Sequence, residues 1–359
     1  MNRRSLGKVS LVLAILFMAG LALALSSFAE EPTKEKPLIW KVSTPWPLAT
    51  WLHKTAQIWA KDVEEMSGGR MKIDLYAADE VVPPFEIFNA VRMGTLDAGH
   101  TWAGYNIGKF PALTFMASTP AFMDLLGYIA WMQAGGGKEL WQEIYGDAVV
   151  VYPAAVTFAE TGGWSNKPLE KLSDFKGLKY RTVLIWGQIL SETGASVVTL
   201  PAGDIVPSLQ RRTIDAAEFS TPAIDLPLGF HEVAKYNYYP GLHQIAVYEE
   251  LLANPKKWEA LPDDLKAIVR RACDASISRA FSQFLIDDCK AVKTFKEYGT
   301  EIKKFPREMQ QEILEKFVEK YDNYPDEMFQ KVWKSQKEFL KLYTPYMKLQ
   351  TVDAGVAIK

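Results

Sequence analysis

The chain has 359 residues, 48% of them hydrophobic and 11 of them Trp. That is enough apolar mass for the cores of two lobes of roughly 120–150 residues each. The formal net charge of −2 leaves no basic excess to neutralise phosphates, which excludes a polyanion-binding protein and with it a nucleic-acid partner. The first 29 residues read as an address. Arg3, Arg4 and Lys8 form a basic start, Val9 to Leu25 is an apolar run, and Ser27-Phe28-Ala29 offers a small-x-small cleavage pattern. Export with cleavage after Ala29 is therefore expected. Asn2-Arg-Arg-Ser-Leu-Gly-Lys8 resembles a twin-arginine signal, with Gly7 where that pattern prefers an apolar residue.

In chain order, Leu38-Ile-Trp-Lys-Val-Ser43 reads as a strand, ended by Thr44-Pro-Trp-Pro47. From Trp51 to Met66 apolar residues recur at helical spacing, and Ser67-Gly-Gly69 stops the helix. Met71 to Tyr76 alternates as a strand. Pro83-Pro84 opens a helix that Gly94 closes after Met93, and Leu96 to Trp102 is a short strand. Strands alternating with helices of about 10–15 residues predict α/β lobes. Further along lie a turn at Glu160-Thr-Gly-Gly-Trp164 and a strand Gly177-Leu-Lys-Tyr-Arg181 with a helix after it. The tyrosine-rich stretch Lys235 to Tyr248, with Pro240-Gly241, holds the return crossing between the lobes. A long helical pattern starts at Pro262 and runs to about Tyr298; Glu308 to Phe317 and Pro325 to Tyr343 are two further amphipathic stretches. Cys273 and Cys289 fall within the long helix, about 24 Å apart along its axis, too far to pair. Both read as small buried hydrophobes.

One internal echo is informative. Ala90-Val-Arg-Met-Gly-Thr95-Leu-Asp-Ala-Gly-His100-Thr101 lines up with Ser208-Leu-Gln-Arg-Arg-Thr213-Ile-Asp-Ala-Ala-Glu218-Phe219. In each, a helix ends, a Thr turns the chain and an Asp-Ala strand follows. Ligands of open α/β sheets bind outside the carboxyl ends of strands, so His100 and Glu218 are expected to face a shared cleft.

No nucleophile elbow, phosphate loop, His-Glu-x-x-His or cysteine ligand set occurs, so enzymatic chemistry is not the first reading. Arg181 closes a strand with a planar fork of donors that matches a carboxylate, and the competing reading is a surface ion pair of little value. Glu218 follows two alanines on a buried-looking strand, where an unpaired carboxylate is costly. With Glu160 it wants a cation: a hard metal ion such as Ca²⁺ or Na⁺, or the Arg181 guanidinium itself. Trp102, Tyr105, Trp164 and Trp186 are candidate pocket walls. A secreted enzyme using Glu160 and Glu218 as an acid/base pair is a distant alternative.

Five segments together resemble the solute-binding proteins of TRAP transporters: Phe158-x-Glu-Thr-Gly-Gly-Trp164, Asp174-Phe-Lys-Gly-Leu-Lys-Tyr-Arg181, Pro201-Ala-Gly-Asp204, Thr213-Ile-Asp-Ala-Ala-Glu-Phe219 and Tyr238-Tyr-Pro-Gly241. The likeness covers about residues 36–350 and is greatest to the branch that binds 2-oxo and 2-hydroxy monocarboxylates. It implies a periplasmic receptor of two hinged α/β lobes closing over a small organic acid and delivering it to a membrane permease. The expected division is residues 36–158 with 242–300 as one lobe, 159–241 as the other, and a helical region over 301–359. The resemblance implies that Arg181 takes the substrate carboxylate, with Tyr105 as a pocket tyrosine. It also implies a bridging metal held by Glu218, the Phe219 carbonyl, the residue at Glu160 and Gln244. Glu160 stands where the branch has Gln; the added negative charge favours Ca²⁺ over Na⁺. A homodimer through an exchanged C-terminal helix, here Pro325–Tyr343, is a further implication. The alternative reading is a metal-free receptor for an amino acid, sugar acid or aromatic acid.

Overall fold

The computed structural model describes residues 36–350, so the export signal expected over residues 1–29 lies outside the described residues. Twelve strands are found among them: β1 Leu38–Ser43, β2 Met71–Tyr76, β3 Ala98–Thr101, β4 Ser118–Thr119, β5 Val150–Thr157, β6 Gly163–Ser165, β7 Lys179–Arg181, β8 Ser196–Val198, β9 Ala216–Ala217, β10 Tyr236–Tyr239, β11 Ala246–Ala253 and β12 Glu301–Lys304. They form two six-stranded sheets. The first runs β2-β1-β3-β11-β4 with β5 added against β11; the second runs β12-β10-β6-β9-β7-β8. The chain therefore leaves the first sheet after β5 and comes back after β10. It crosses again at the end of the helix Asp263–Tyr298 to add β12.

Local signals set these boundaries. Thr50 caps the helix Trp51–Met66 with its side chain, and Leu52, Ala56, Trp59 and Val63 form its buried stripe. Gly94 takes the left-handed conformation (φ 82°) that closes the helix Ile87–Met93. Every residue of β11 is buried, because strands or helices cover both its edges and its faces. None of the described helices is long and apolar enough to cross a membrane.

The echo between the two lobes is a shared structural unit. Asp97 accepts the Lys41 backbone N–H at 2.8 Å and returns its own N–H to the Lys41 carbonyl. Asp215 does the same with Lys179, also at 2.8 Å. Thr95 N–H reaches Ala90, five residues back, as Thr213 N–H reaches Ser208. Each Asp-Ala strand lies parallel to one neighbour (β1 or β7) and antiparallel to another (β11 or β6). An Asp at the strand start thus fixes the register of the adjoining parallel strand in both sheets.

Three expectations change. Residues 301–304 are not helical; they pair in parallel with β10 and form an edge of the second sheet. Strand character wins there because Tyr236–Tyr239 offers an unpaired edge directly beside the chain leaving Gly299. The last two helices, Arg307–Asp322 and Glu327–Gln350, both run longer than the sequence pattern indicated. Cys273 and Cys289 are unpaired on one continuous helix as expected, but only Cys273 is buried; Cys289 is exposed on a face the long helix turns to solvent.

Candidate ligand and metal site

Arg181 ends β7, and the strand beside it, β9, delivers Glu218 one residue past its own end. Parallel pairing at the carboxyl ends thus puts guanidinium and carboxylate side by side. Arg181 is 2% exposed and its fork is already engaged. Nη1 donates to the Glu218 carbonyl at 2.7 Å and to Glu218 Oε1 at 3.2 Å. Nε and Nη2 donate to the Leu200 carbonyl at 3.2 and 3.1 Å. Of the five N–H donors of a guanidinium, one on Nη2 has no acceptor among the described residues. The Phe219 ring lies 5.3 Å from the guanidinium carbon and backs it from the other side.

Glu160 reaches the same place by another route. Its N–H donates to the Gln244 carbonyl at 3.0 Å, and its carbonyl accepts from Gly241 N–H at 3.1 Å. The outward and return crossings are therefore laced together where Glu160 projects. A Cβ at Gly241 would stand 2.4 Å from the Glu160 carbonyl oxygen, so only glycine allows this approach. Gly241→Ala is expected to displace Glu160 and cost about 1–3 kcal/mol, since neither backbone can yield freely. Urea denaturation checks the stability, and ligand titration checks the displaced carboxylate.

The return crossing also brings in His243, which the sequence reading passed over. Nε2 of His243 lies 3.5 Å from Glu160 Oε2 and 3.6 Å from Glu218 Oε2. All three atoms are buried and have no hydrogen-bond partner among the described residues. They lie within 4.8 Å of one another. Trp186 stacks on the imidazole, with ring centroids 5.8 Å apart, instead of walling the pocket. Burial pulls the His243 imidazole down, but the two carboxylates facing it outweigh burial and raise it to about 9. Burial pushes Glu160 up, against the pull of His243. For Glu218 burial pushes upward too, yet Arg181 and His243 overcome it and hold the carboxyl below its usual range. Of the two partners expected for Glu218, Arg181 is found, on Oε1, while Oε2 turns to His243 and Glu160.

A small cavity adjoins these groups. Glu160, Arg181, Phe219 and Ser220 form its polar wall; Trp46, Leu52, Trp102, Tyr105, Val183 and Val247 form most of the rest. Trp102 is fixed by a 3.0 Å hydrogen bond from Nε1 to the Ala117 carbonyl. Tyr105 packs edge-on against it at 5.1 Å and accepts a 3.3 Å hydrogen bond from Trp46 Nε1. Trp164 stays in the core, donating to Asp225 at 2.7 Å. Gln244 is buried, and its Nε2 has no partner among the described residues.

His100 does not line this cavity. It sits in the core of its lobe between Trp46 and Trp59, with centroid separations of 6.5 and 6.1 Å. Burial and the nearby His53 lower it to about 3. The expectation that it faces the cleft as Glu218 does fails for a topological reason. β11 pairs antiparallel with β3, Leu251 opposite His100, and runs on past its end, so Glu249 on the same face stands in front. Glu249 is a lining residue that the sequence reading missed. Its signal was available: Glu249-Glu250 is a pair of acids inside the otherwise apolar run Ala246 to Ala253. Two carboxylates in a fully buried strand ask for an explanation.

Two α/β halves that the chain crosses repeatedly, with one charged and one apolar wall between strand ends, are the architecture of the two-lobed periplasmic binding fold. The chain belongs to the family described as bacterial extracellular solute-binding protein, family 7, which matches residues 42–331. It is 35% identical over 314 residues, 84% of each chain, to a monocarboxylate 2-oxoacid-binding periplasmic protein of Nostoc sp.. A TRAP transporter solute-binding protein from Bordetella bronchiseptica, with copurified calcium and picolinate, superposes with a TM-score of 0.85 at 28% identity, covering 88% of this chain and 95% of that one. A TRAP periplasmic solute-binding protein from Pseudoalteromonas atlantica, with bound sodium and pyruvate, gives 0.80 at 29% identity, covering 88% and 97%. The protein is a TRAP solute receptor and not an enzyme.

Proposed function

We propose that this receptor captures a small 2-oxo or 2-hydroxy monocarboxylate, with Arg181 on the ligand carboxylate and a metal ion bridging ligand and protein. The observation that carries this reading is the convergence of three buried atoms, on Glu160, Glu218 and His243, beside an arginine that lines the adjoining cavity; the imidazole stands 3.5 and 3.6 Å from the two carboxylates, and none of the three atoms has a hydrogen bond among the described residues. Such atoms are costly unless a cation or donor joins them. The oxygens of Glu160 and Glu218, with the Phe219 carbonyl and the Gln244 side chain, would hold a hard ion. A bound ion supplies fixed positive charge for the acid's oxygens. With His243 neutral, ionised Glu160 and Glu218 beside Arg181 leave one net negative charge, which Ca²⁺ plus a monocarboxylate balances; with His243 protonated, Na⁺ plus a monocarboxylate does. The picolinate and pyruvate relatives, with calcium or sodium, support the same reading.

A second reading has its own support. A protonated His243 already puts a cation between the two carboxylates, so a metal-free receptor for another carboxylate class is the competing arrangement. Native mass spectrometry of the mature protein, before and after chelator, separates them. A metal and a small acid leaving together are expected. An acid that stays bound after complete metal removal overturns the bridge.

For the whole molecule, we infer that residues 36–158 with 242–300 close against 159–241, release of the acid being to a TRAP permease. β12 extends the second lobe by residues 301–304. The helix Glu327–Gln350, the counterpart of the expected Pro325–Tyr343, exposes Leu342, Tyr346 and Leu349 beyond its buried start at Phe329, Val332 and Trp333. That apolar end supports a homodimer through this helix.

A further inference from the structure

The lobe opposite Arg181 carries a polar group that the carboxylate clamp does not use. Glu249 lies in the cavity wall among Trp46, Leu52, Trp102 and Val247, and it is fully buried. Its Oε2 is 2.6 Å from Thr55 Oγ1, with His100 Nδ1 3.3 Å away on the same oxygen. Its Oε1 is buried and has no hydrogen-bond partner among the described residues.

Thr55 Oγ1 also lies 2.7 Å from the Leu52 carbonyl, so its one proton is shared between that carbonyl and Glu249 Oε2, and Oε1 is left out of both contacts. An ionised carboxylate here would face apolar walls and a neutral His100, with no cation beside it. Burial likewise raises the carboxyl well above its usual range, against the Thr55 contact. Glu249 is therefore a neutral acid in the cavity wall, with an Oε1 that a ligand group can hydrogen-bond.

We propose that Glu249 is a specificity residue: its Oε1 hydrogen-bonds the tail of the bound acid, which makes the ligand class a carboxylic acid bearing a hydroxyl or other hydrogen-bonding group remote from its carboxylate. This rests on Arg181 holding the carboxylate end, because the two residues line one cavity from opposite lobes. An acid with a wholly apolar tail leaves Oε1 desolvated and unpaired, and sites built to hydrogen-bond a donor reject analogues lacking it strongly.

The test is calorimetric titration with matched acids: ω-hydroxylated 2-oxo acids of four to six carbons against their plain counterparts, on wild type, Glu249→Gln and Glu249→Leu. Wild type is expected to favour a hydroxylated member by at least about tenfold. Glu249→Gln, whose amide oxygen can still accept, keeps a preference; Glu249→Leu loses it while binding the plain acid at least as well. Equal affinity within each wild-type pair, or an unchanged ratio in Glu249→Leu, overturns the proposal. If no 2-oxo acid binds, the functional reading above falls, and the acid released from the purified protein decides Glu249 by its formula. A released acid with no polar group remote from its carboxylate overturns the proposal; one with such a group upholds it.

Discussion

Arg181→Ala is expected to weaken ligand binding by roughly 2–5 kcal/mol, because a buried carboxylate that loses its charged partner is left unpaired. The fold will feel the change as well. The guanidinium holds the Glu218 and Leu200 carbonyls and one oxygen of the Glu218 carboxylate, just past the ends of the two strands that flank β7. Breaking such a pair from one side costs about 3–5 kcal/mol of stability. Arg181→Lys separates the two effects. It keeps the charge near Glu218 but cannot span both carbonyls, so stability should recover more than affinity does. Calorimetry and urea denaturation on the three proteins report the two quantities independently. Binding within tenfold of wild type in a folded Arg181→Ala protein would remove the arginine from the ligand site.

His243→Gln is expected to make folding stability depend more strongly on metal. In the metal-free wild type the imidazolium is the cation between Glu160 and Glu218. Its raised pKa of about 9 means that its contribution is complete below the unfolded value near 6.5 and is lost as pH rises through 9. Glutamine removes that cation and puts an amide oxygen in its place. Without metal the two carboxylates repel, and the variant should melt well below wild type. Added Ca²⁺ should restore most of the loss, because one more oxygen donor suits a hard ion. Thermal melts over a calcium series, with and without chelator, make the measurement. A variant as stable as wild type in chelator would show that His243 neutralises neither carboxylate.

The sequence made most of the fold legible because its punctuation is local. The stops at Ser67-Gly-Gly69 and Gly94, and the period switch between Trp51–Met66 and Met71–Tyr76, depend on near neighbours only, and all appear where expected. The echo of Asp97 and Asp215 carried long-range information, since one side chain sets the register of a neighbouring strand in each sheet. The site was only half legible. Arg181, Glu218 and Glu160 stood out as charges in apolar surroundings. His243 did not, because its partners lie far off in sequence and meet it only where two crossings are laced together. His100 misled for the opposite reason: the echo placed it correctly on its strand, but a strand from far along the chain, β11, set Glu249 in front of it. A repeat shows which positions are equivalent, not what later covers them.

That equivalence has a kinetic consequence. Arg181, at the end of β7, corresponds to Ser43 at the end of β1, so only one of the two matched strand ends carries charge. The charged wall belongs to the second lobe and the crossings, while Trp46, Leu52, Trp102 and Val247 of the first lobe offer almost no electrostatic attraction. Under the proposed function, the two carboxylates of that wall outnumber its arginine, so a bound cation is what would attract an arriving acid to it, and the apolar wall would then enclose the acid. Capture is the salt-sensitive step, and enclosure by tryptophan-lined apolar surface sets how long the acid stays.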